Sequence, residues 1–517
     1  MPSLPRVGGK LQLLRLFLVL TTLVGRSYAE QSGRDTPVPV APYLNAVFPS
    51  LPPGGAGAWK TVRSFPNLTF TDPMWVTPWP GTDDLLMVER MGRLRRFPNR
   101  QDTVPADVST ILNWRGRTQT RGDDGGFYSA VFHPKFTDLT DPKRFLFLCY
   151  THQLQEGTNT VLGDSYWRLT RLEFDATGAV VPGSETILIS LYDPQRWHNG
   201  GAMFFGPKGF LYLSNGDGGH SGNPFENGQV LDKSLFSVVI RIDVDERGGT
   251  VSHPIRRQPQ EIKVLPEGVT TSYTQNYYIP SDNPWVEDPT LPGEEAPFME
   301  EIYACGLRSP HTMHYDQGTA QVWLGDVGFR DREELNLFLL DPENPVLPKS
   351  GSNFGWDKQE GFLGGRLPIG APGIETLPVL DYDRSVGSCI IAGGIYRGSQ
   401  HALDLFGKVI LGDNRTGMLW SVDYQDGRPA LLKELTVLTD GDPLLGGNVR
   451  GLTNICRDQD GELLLLYSAS ANNPAGKIYV AKTFGREVIF GETVQKGIAA
   501  RVLEYANELL KDAYVTT

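Results

Sequence analysis

A histidine in a glycine-flanked turn and an aspartate in an acidic glycine cluster frame the stretch WHNGGAMFFGPKGFLYLSNGDGG, residues 197–219. Imidazole is the side chain best suited to move a proton near neutral pH, so His198 is a candidate general base. Asp217 can orient that imidazole or touch a ligand. Each has a structural alternative, His198 as a turn residue beside Asn199 and Asp217 as the cap of the loop after its strand. Further on, GLRSPH at 306–311 puts Arg308 in a turn after an apolar run, where its planar fork can clamp a carboxylate or a quinone oxygen, or make a surface ion pair. Gly325-Asp326-Val327-Gly328 and Asp331-Arg332-Glu333-Glu334 concentrate carboxylates and carbonyls. Oxygen-rich loops suit Ca²⁺, although this spacing is not that of an EF-hand and most acidic loops are simply solvated.

These residues need rigid elements behind them. The stretch 197–219 itself reads as strand, tight Gly206-Pro207-Lys208-Gly209 turn, strand and loop, a hairpin with the histidine and the carboxylate at one end. Short strands separated by Gly, Asp, Asn and Pro continue over residues 55–487, and no long helical pattern appears before residue 490. A loose echo recurs as GFLYLSNGD (209–217), AQVWLGDVG (320–328), GKVILGDNRTG (407–417) and GELLLLYSAS (461–470). Units of about 40–50 residues, or double that, match one four-stranded blade each and predict an all-β, six-bladed β-propeller. Residues 30–54 read as a proline- and glycine-rich linker, and 251–300 as a surface insertion. Residues 488–517 read as a helical tail: Ile498, Val502, Ala506, Leu509, Leu510 and Ala513 form one apolar stripe.

Composition narrows the partners. Hydrophobic residues make up 40% of the 517, with 58 Gly and 38 Pro, which describes a loop-rich globular chain rather than a disordered or membrane-bundle one. Arg6, Lys10 and Arg15 precede the apolar run Leu16–Val24, and Ser27-Tyr28-Ala29 completes a secretory signal with cleavage after Ala29. The apolar run is about half the length a membrane span needs. Removing residues 1–29 takes away four basic residues and no acid, moving the formal charge from −12 to −16. An acidic surface disfavours nucleic acid and suits a small neutral substrate. The expected location is secreted or periplasmic, with no membrane span after cleavage. Cys149, Cys305, Cys389 and Cys456 form no CxxC or CxxCH, which excludes a zinc ribbon and a covalently attached c-type haem. Export permits one or two disulfides, with small buried hydrophobes the equal alternative. Asn67-Leu68-Thr69 and Asn414-Arg415-Thr416 are glycosylation sequons.

Taken together and in order, these pieces resemble one family. HNGGAMFFGPKGFLY with GDGG, GLRSPHTMHYD, LGDVGFRDREELNL and SNFGWDKQEG are similar to consecutive blocks of the glucose/sorbosone dehydrogenases. VERMGRLRRF and DDGGFYSAVFHPKF upstream, and YDRSVGSCIIAGGIYRG downstream, extend the resemblance over most of residues 85–470. That family comprises soluble sugar dehydrogenases dependent on pyrroloquinoline quinone (PQQ), with hedgehog-interacting-protein-like relatives. The resemblance implies a six-bladed propeller with the quinone at the wide end of the central channel. It implies His198 as the base that takes a sugar hydroxyl proton, Arg308 as the clamp on the quinone carbonyl, and Asp217 beside substrate and base. It implies one calcium on the carbonyls of Gly328 and Phe329, and a second on the Glu334 carboxylate and the Phe354 carbonyl near Glu333. Cofactor contacts fall on Asp124, Arg308, Ser309, Arg415 and Arg450. The sequence departs from the pattern at Ser309, where the family has asparagine, and at Asp124, where the glucose-oxidising branch has glutamine. The function so implied is PQQ- and Ca²⁺-dependent oxidation of an aldose or related sugar alcohol, with an outside electron acceptor. The departures feed two alternatives, a non-catalytic secreted propeller that binds a protein or glycan and a Ca²⁺-dependent lactone or ester hydrolase.

Overall fold

The computed structural model describes residues 59–483, apart from 121–123, 158–163, 196, 220–221, 262, 270–275, 287–295, 341–350, 364–372, 425–430, 436–437, 440–450 and 469–474. The expected signal segment, linker and helical tail, and Arg450, lie outside the described residues.

Six antiparallel sheets follow one another along the chain. Blade one is Pro73–Pro78, Asp84–Glu89, Arg93–Pro98 and Ser109–Asn113. Blade two is Phe127–Phe132, Phe145–Gln153, Ser165–Glu173 and Thr186–Asp193. Blade three, Met203–Phe205, Leu211–Asn215, Val238–Ile242 and Ile302–Cys305, carries two short parallel additions at its outer edge. Blade four is Thr312–Asp316, Gln321–Asp326, Glu333–Leu339 and Leu380–Tyr382. Blade five is Ile390–Ile395, Val409–Asp413, Leu419–Asp423 and Leu431–Leu435.

Blade six is composite. Leu452–Arg457, Leu463–Tyr467 and Ala475–Thr483 come from the end of the described chain, and Trp59–Ser64 from its beginning supplies the fourth strand. That strand pairs antiparallel from Trp59 opposite Thr483 to Ser64 opposite Ile478. The first strand of each blade packs on that of the next, and Leu452–Arg457 packs back on Pro73–Pro78, so the ring is closed. The protein is a six-bladed β-propeller. Closure buries the sheet faces that the first and last blades of an open stack would expose, and leaves only short edges at the rim.

The four echoed motifs fall on the second strands of blades three to six. Gln321–Asp326 is buried on both faces, as expected of a strand sandwiched between neighbours, so its sequence runs apolar without clean alternation. The segment expected as a surface insertion is more than that. Ser252–Pro254 pairs with Tyr278–Pro280, and Ile279, Trp285, Val286 and Met299 enter the core shared by blades two and three. The four cysteines are free thiols, three of them buried, so the small-hydrophobe alternative describes them. No helix among the described residues is long and apolar enough to cross a membrane.

Candidate active site

The hairpin that carries the histidine forms as its local sequence dictates. Met203–Phe205 pairs with Leu211–Asn215 across a 3-10 turn at Pro207–Gly209, and both strands are largely buried. His198 precedes the hairpin with φ +65°, a left-handed backbone that a non-glycine residue adopts only when its surroundings hold it. One holder is Asp124, whose Oδ2 accepts the His198 backbone N–H at 2.7 Å. Another is Gly216, just past the second strand. A Cβ there would lie 1.9 Å from the carbonyl oxygen of His198 and 2.5 Å from that of Arg308. Only glycine admits both chains at once, and this close approach brings the loops of residues 198 and 308 together.

The His198 imidazole is wired on one side. Its Nδ1 lies 2.7 Å from Asp217 Oδ1. Asp217 is fully buried and accepts further bonds from the Gly219 N–H at 2.9 Å and from the Trp356 indole N–H at 2.9 Å on Oδ2. A carboxylate only accepts, so Nδ1 carries the proton and the Nε2 lone pair is free to act as a base. Across the cavity, the Arg308 guanidinium donates to the carbonyls of Val327 at 2.9 Å and Gly328 at 2.8 Å, while its Nε has no hydrogen-bond partner. Burial lowers its proton affinity; Asp217 and Asp326 act in the opposite direction. Asp326 accepts the backbone N–H groups of Arg308 and Ser309 at 2.9 and 2.6 Å, and burial pushes its own carboxyl up to about 7. His311 lies on the same cavity, and burial lowers its pKa despite the nearby Asp124.

His198, Arg308 and His311 open onto one cavity of about 760 Å³, within the range of small-molecule sites, while Asp217 and Asp326 are buried and do not line it. His198, Arg308, Ser309, Asp124 and Arg415 all line it. Of the residues expected to hold a cofactor, Arg450 alone lies outside the described residues. Sequence reasoning missed Asn199, a cavity-lining residue whose amide nitrogen and oxygen are both buried without a partner. It also missed Trp356, which acts from 139 positions away. The tryptophan stood in a motif already noticed, but its target could not be read from the chain.

The residues expected to hold calcium do not converge in the same way. The Gly328 carbonyl is taken by Arg308, and the Phe329 N–H points at Glu360 Oε1 with those of the next three residues. Glu333 and Glu334 are adjacent on one strand and point to opposite faces. Glu333 meets Arg384 and the Ile390 N–H; Glu334 meets the Gly361 N–H and the Asn336 amide. Phe354 is buried in the main core. No three His, Cys, Asp or Glu side chains among the described residues gather to hold a metal. A cation fits best at Glu334, where burial and Asp326 raise the carboxyl well above its usual range and the Asn336 Oδ1 has no partner. The Gly328 carbonyl accepts one bond from Arg308 and keeps a second lone pair.

The sequence matches the family described as glucose/sorbosone dehydrogenase over residues 70–252 and 249–475. The chain belongs to the glucose/sorbosone dehydrogenase family. HIPL1 protein from Arabidopsis thaliana is 30% identical over 241 residues, 44% of this chain and 30% of that protein. Aldose sugar dehydrogenase YliI of Escherichia coli (strain K12) is 24% identical over 285 residues, 54% of this chain and 58% of that enzyme. The match thus spans less than two thirds of either relative. The PQQ-bound aldose sugar dehydrogenase of Streptomyces coelicolor shares the fold with a TM-score of 0.51 and 17% identity, covering 84% of this chain and all of that one.

Proposed function

We propose that this family member is an exported, PQQ- and Ca²⁺-dependent dehydrogenase that oxidises an aldose or related sugar alcohol and passes the electrons to an outside acceptor. The observation that carries the reading is the His198–Asp217 pair facing Arg308 across one cavity. PQQ bound against Arg308 would supply the hydride-accepting carbonyl that protein side chains lack. The fit rests on the cavity's size, the unspent Nε of Arg308 and the unpartnered amide of Asn199, which together offer a planar polar ligand donors and an acceptor.

The chain's own residues then divide the work. His198 Nε2 takes the proton of the sugar hydroxyl. Asp217 Oδ1 holds the imidazole in the tautomer that leaves Nε2 open and stabilises the imidazolium that forms. Arg308, desolvated in the cavity wall, places positive charge where oxyanion character develops. Glu334 and the Phe354 carbonyl are where calcium would sit.

The test is to titrate the purified chain with PQQ and Ca²⁺, follow cofactor absorbance, and assay dye reduction with a panel of aldoses. Saturable micromolar binding and sugar-dependent reduction support the reading; no binding at micromolar PQQ overturns it. The half-buried Asp124 carboxylate beside His198 favours a second reading, because it sets a negative charge in the site of an anionic cofactor. On that reading the propeller is a secreted binding module for a protein or glycan, and the cavity takes no quinone.

A further inference from the structure

Trp356 belongs to this site through its indole N–H. It is buried, its backbone N–H donates to the Gly306 carbonyl at 3.0 Å, and its own carbonyl accepts the Gln229 amide at 2.6 Å. A Cβ on Gly228 would come within 2.8 Å of that carbonyl, so the main chain here is locked against blade three. From this fixed position the indole N–H reaches Asp217 Oδ2 at 2.9 Å. Asp217 Oδ1 bonds His198 Nδ1 at 2.7 Å. A single carboxylate therefore bridges an indole and an imidazole, one on each oxygen. The face of the same indole lies 5.6 Å from the Arg308 guanidinium carbon.

We propose that Trp356 is a positioning residue that acts on His198 through Asp217. This inference rests on the reading of His198 as the base. The indole N–H draws carboxylate charge toward Oδ2 and away from the imidazole, and it prevents Asp217 from rotating out of the His198 plane. Without it, Asp217 pulls harder on the Nδ1 proton, so His198 holds a second proton more tightly and fewer imidazoles are free to act as base at a given pH. The charged and titratable groups facing His198 are Asp217, Asp124 at its backbone N–H, and Arg308 and His311 across the cavity. Only Asp217 bonds the imidazole among the described residues.

The experiment reads His198 directly, without cofactor. The histidine ring resonances of the apo protein are followed against pH, with His198 assigned by its loss in His198→Asn. Trp356→Phe keeps the ring and deletes the N–H. His198 should then titrate higher by about half a unit or more, and the shift should vanish in an Asp217→Asn background. A His198 titration unmoved by Trp356→Phe, or moved equally without the Asp217 carboxylate, overturns the proposal. Should the variant not fold, the unmutated chain suffices, because the Trp356 indole N–H resonance must follow the His198 titration. An indole that ignores it overturns the coupling. PQQ enters neither measurement, so a failure here is distinct from a failure of the dehydrogenase reading.

Discussion

The two walls of the cavity are built to opposite rules. On the side of blades six and one, nearly every polar group is spent. Asp72 takes the Arg90 guanidinium at 2.9 Å and the Ser468 hydroxyl at 2.5 Å, and Arg90 also donates to the Gly125 carbonyl at 3.0 Å. Thr453 donates to the Pro73 carbonyl at 2.6 Å and Asn454 to that of Met74 at 3.0 Å, tying the last blade to the first. On the side of blades three and four, His198 leaves one ring nitrogen uncommitted, Arg308 leaves its Nε, and Asn199 its whole amide. Both walls carry a residue in left-handed backbone, Asp72 at φ +48° and His198 at φ +65°. Strain therefore does not separate chemistry from architecture in this molecule. Unspent hydrogen-bonding capacity does.

If that contrast is right, changes on the open wall should cost function and changes on the clasp should cost stability. His198→Ala should cut PQQ-dependent dye reduction by about a hundredfold to ten-thousandfold while the thermal midpoint stays nearly unchanged. An equal loss of stability would erase the distinction. Asp72→Ala removes the carboxylate that takes both Arg90 and Ser468 and should destabilise the ring by about 3 kcal/mol, read as a lower urea midpoint.

The walls should also differ on acidification. Burial holds His311 below its ordinary value near 6.5, so the folded chain binds fewer protons than the unfolded one just below that pH. Its contribution to stability is present above about pH 6.5 and is lost as the pH falls. His311→Asn should flatten that part of the stability–pH curve, measured by thermal unfolding between pH 5 and 7.5. The smallest effect is expected at Asn199. Asn199→Leu keeps the volume and removes an amide with no partner, so it should change stability by less than about 1 kcal/mol while weakening ligand binding. A large stability loss would show that this amide is not free capacity.

Local chemistry was legible in the sequence; convergence was not. The hairpin at 203–215 follows from a Gly-Pro-Lys-Gly turn between apolar runs, and the repeated echo marked the second strands of four blades. The first strands of blades one and four escaped the pattern because they break it. Pro73–Pro78 begins and ends in proline, and Thr312–Asp316 buries His314 among its apolar residues. Such positions are set by neighbours distant in the chain. At the site, His198, Asp217 and Arg308 were nameable from residue type and family resemblance. That they meet depends on the missing side chain of Gly216, and the role of Trp356 depends on a contact across blades. Glu333 and Glu334, adjacent in the sequence, are turned to opposite faces by their strand and keep separate partners.

Blade six borrows its fourth strand from the start of the described chain. During synthesis Trp59–Ser64 leaves the ribosome long before Ala475–Thr483 exists to receive it, and five blades can assemble while the sixth has nothing to close on. Over that interval both ends of the arc present uncovered sheet faces and Trp59–Ser64 lacks its antiparallel partner, surfaces prone to join a neighbouring chain. A nascent or truncated chain that stops short of residue 475 should therefore be a sticky crescent, and a permuted chain that begins with an intact sixth blade should mature with less help from chaperones.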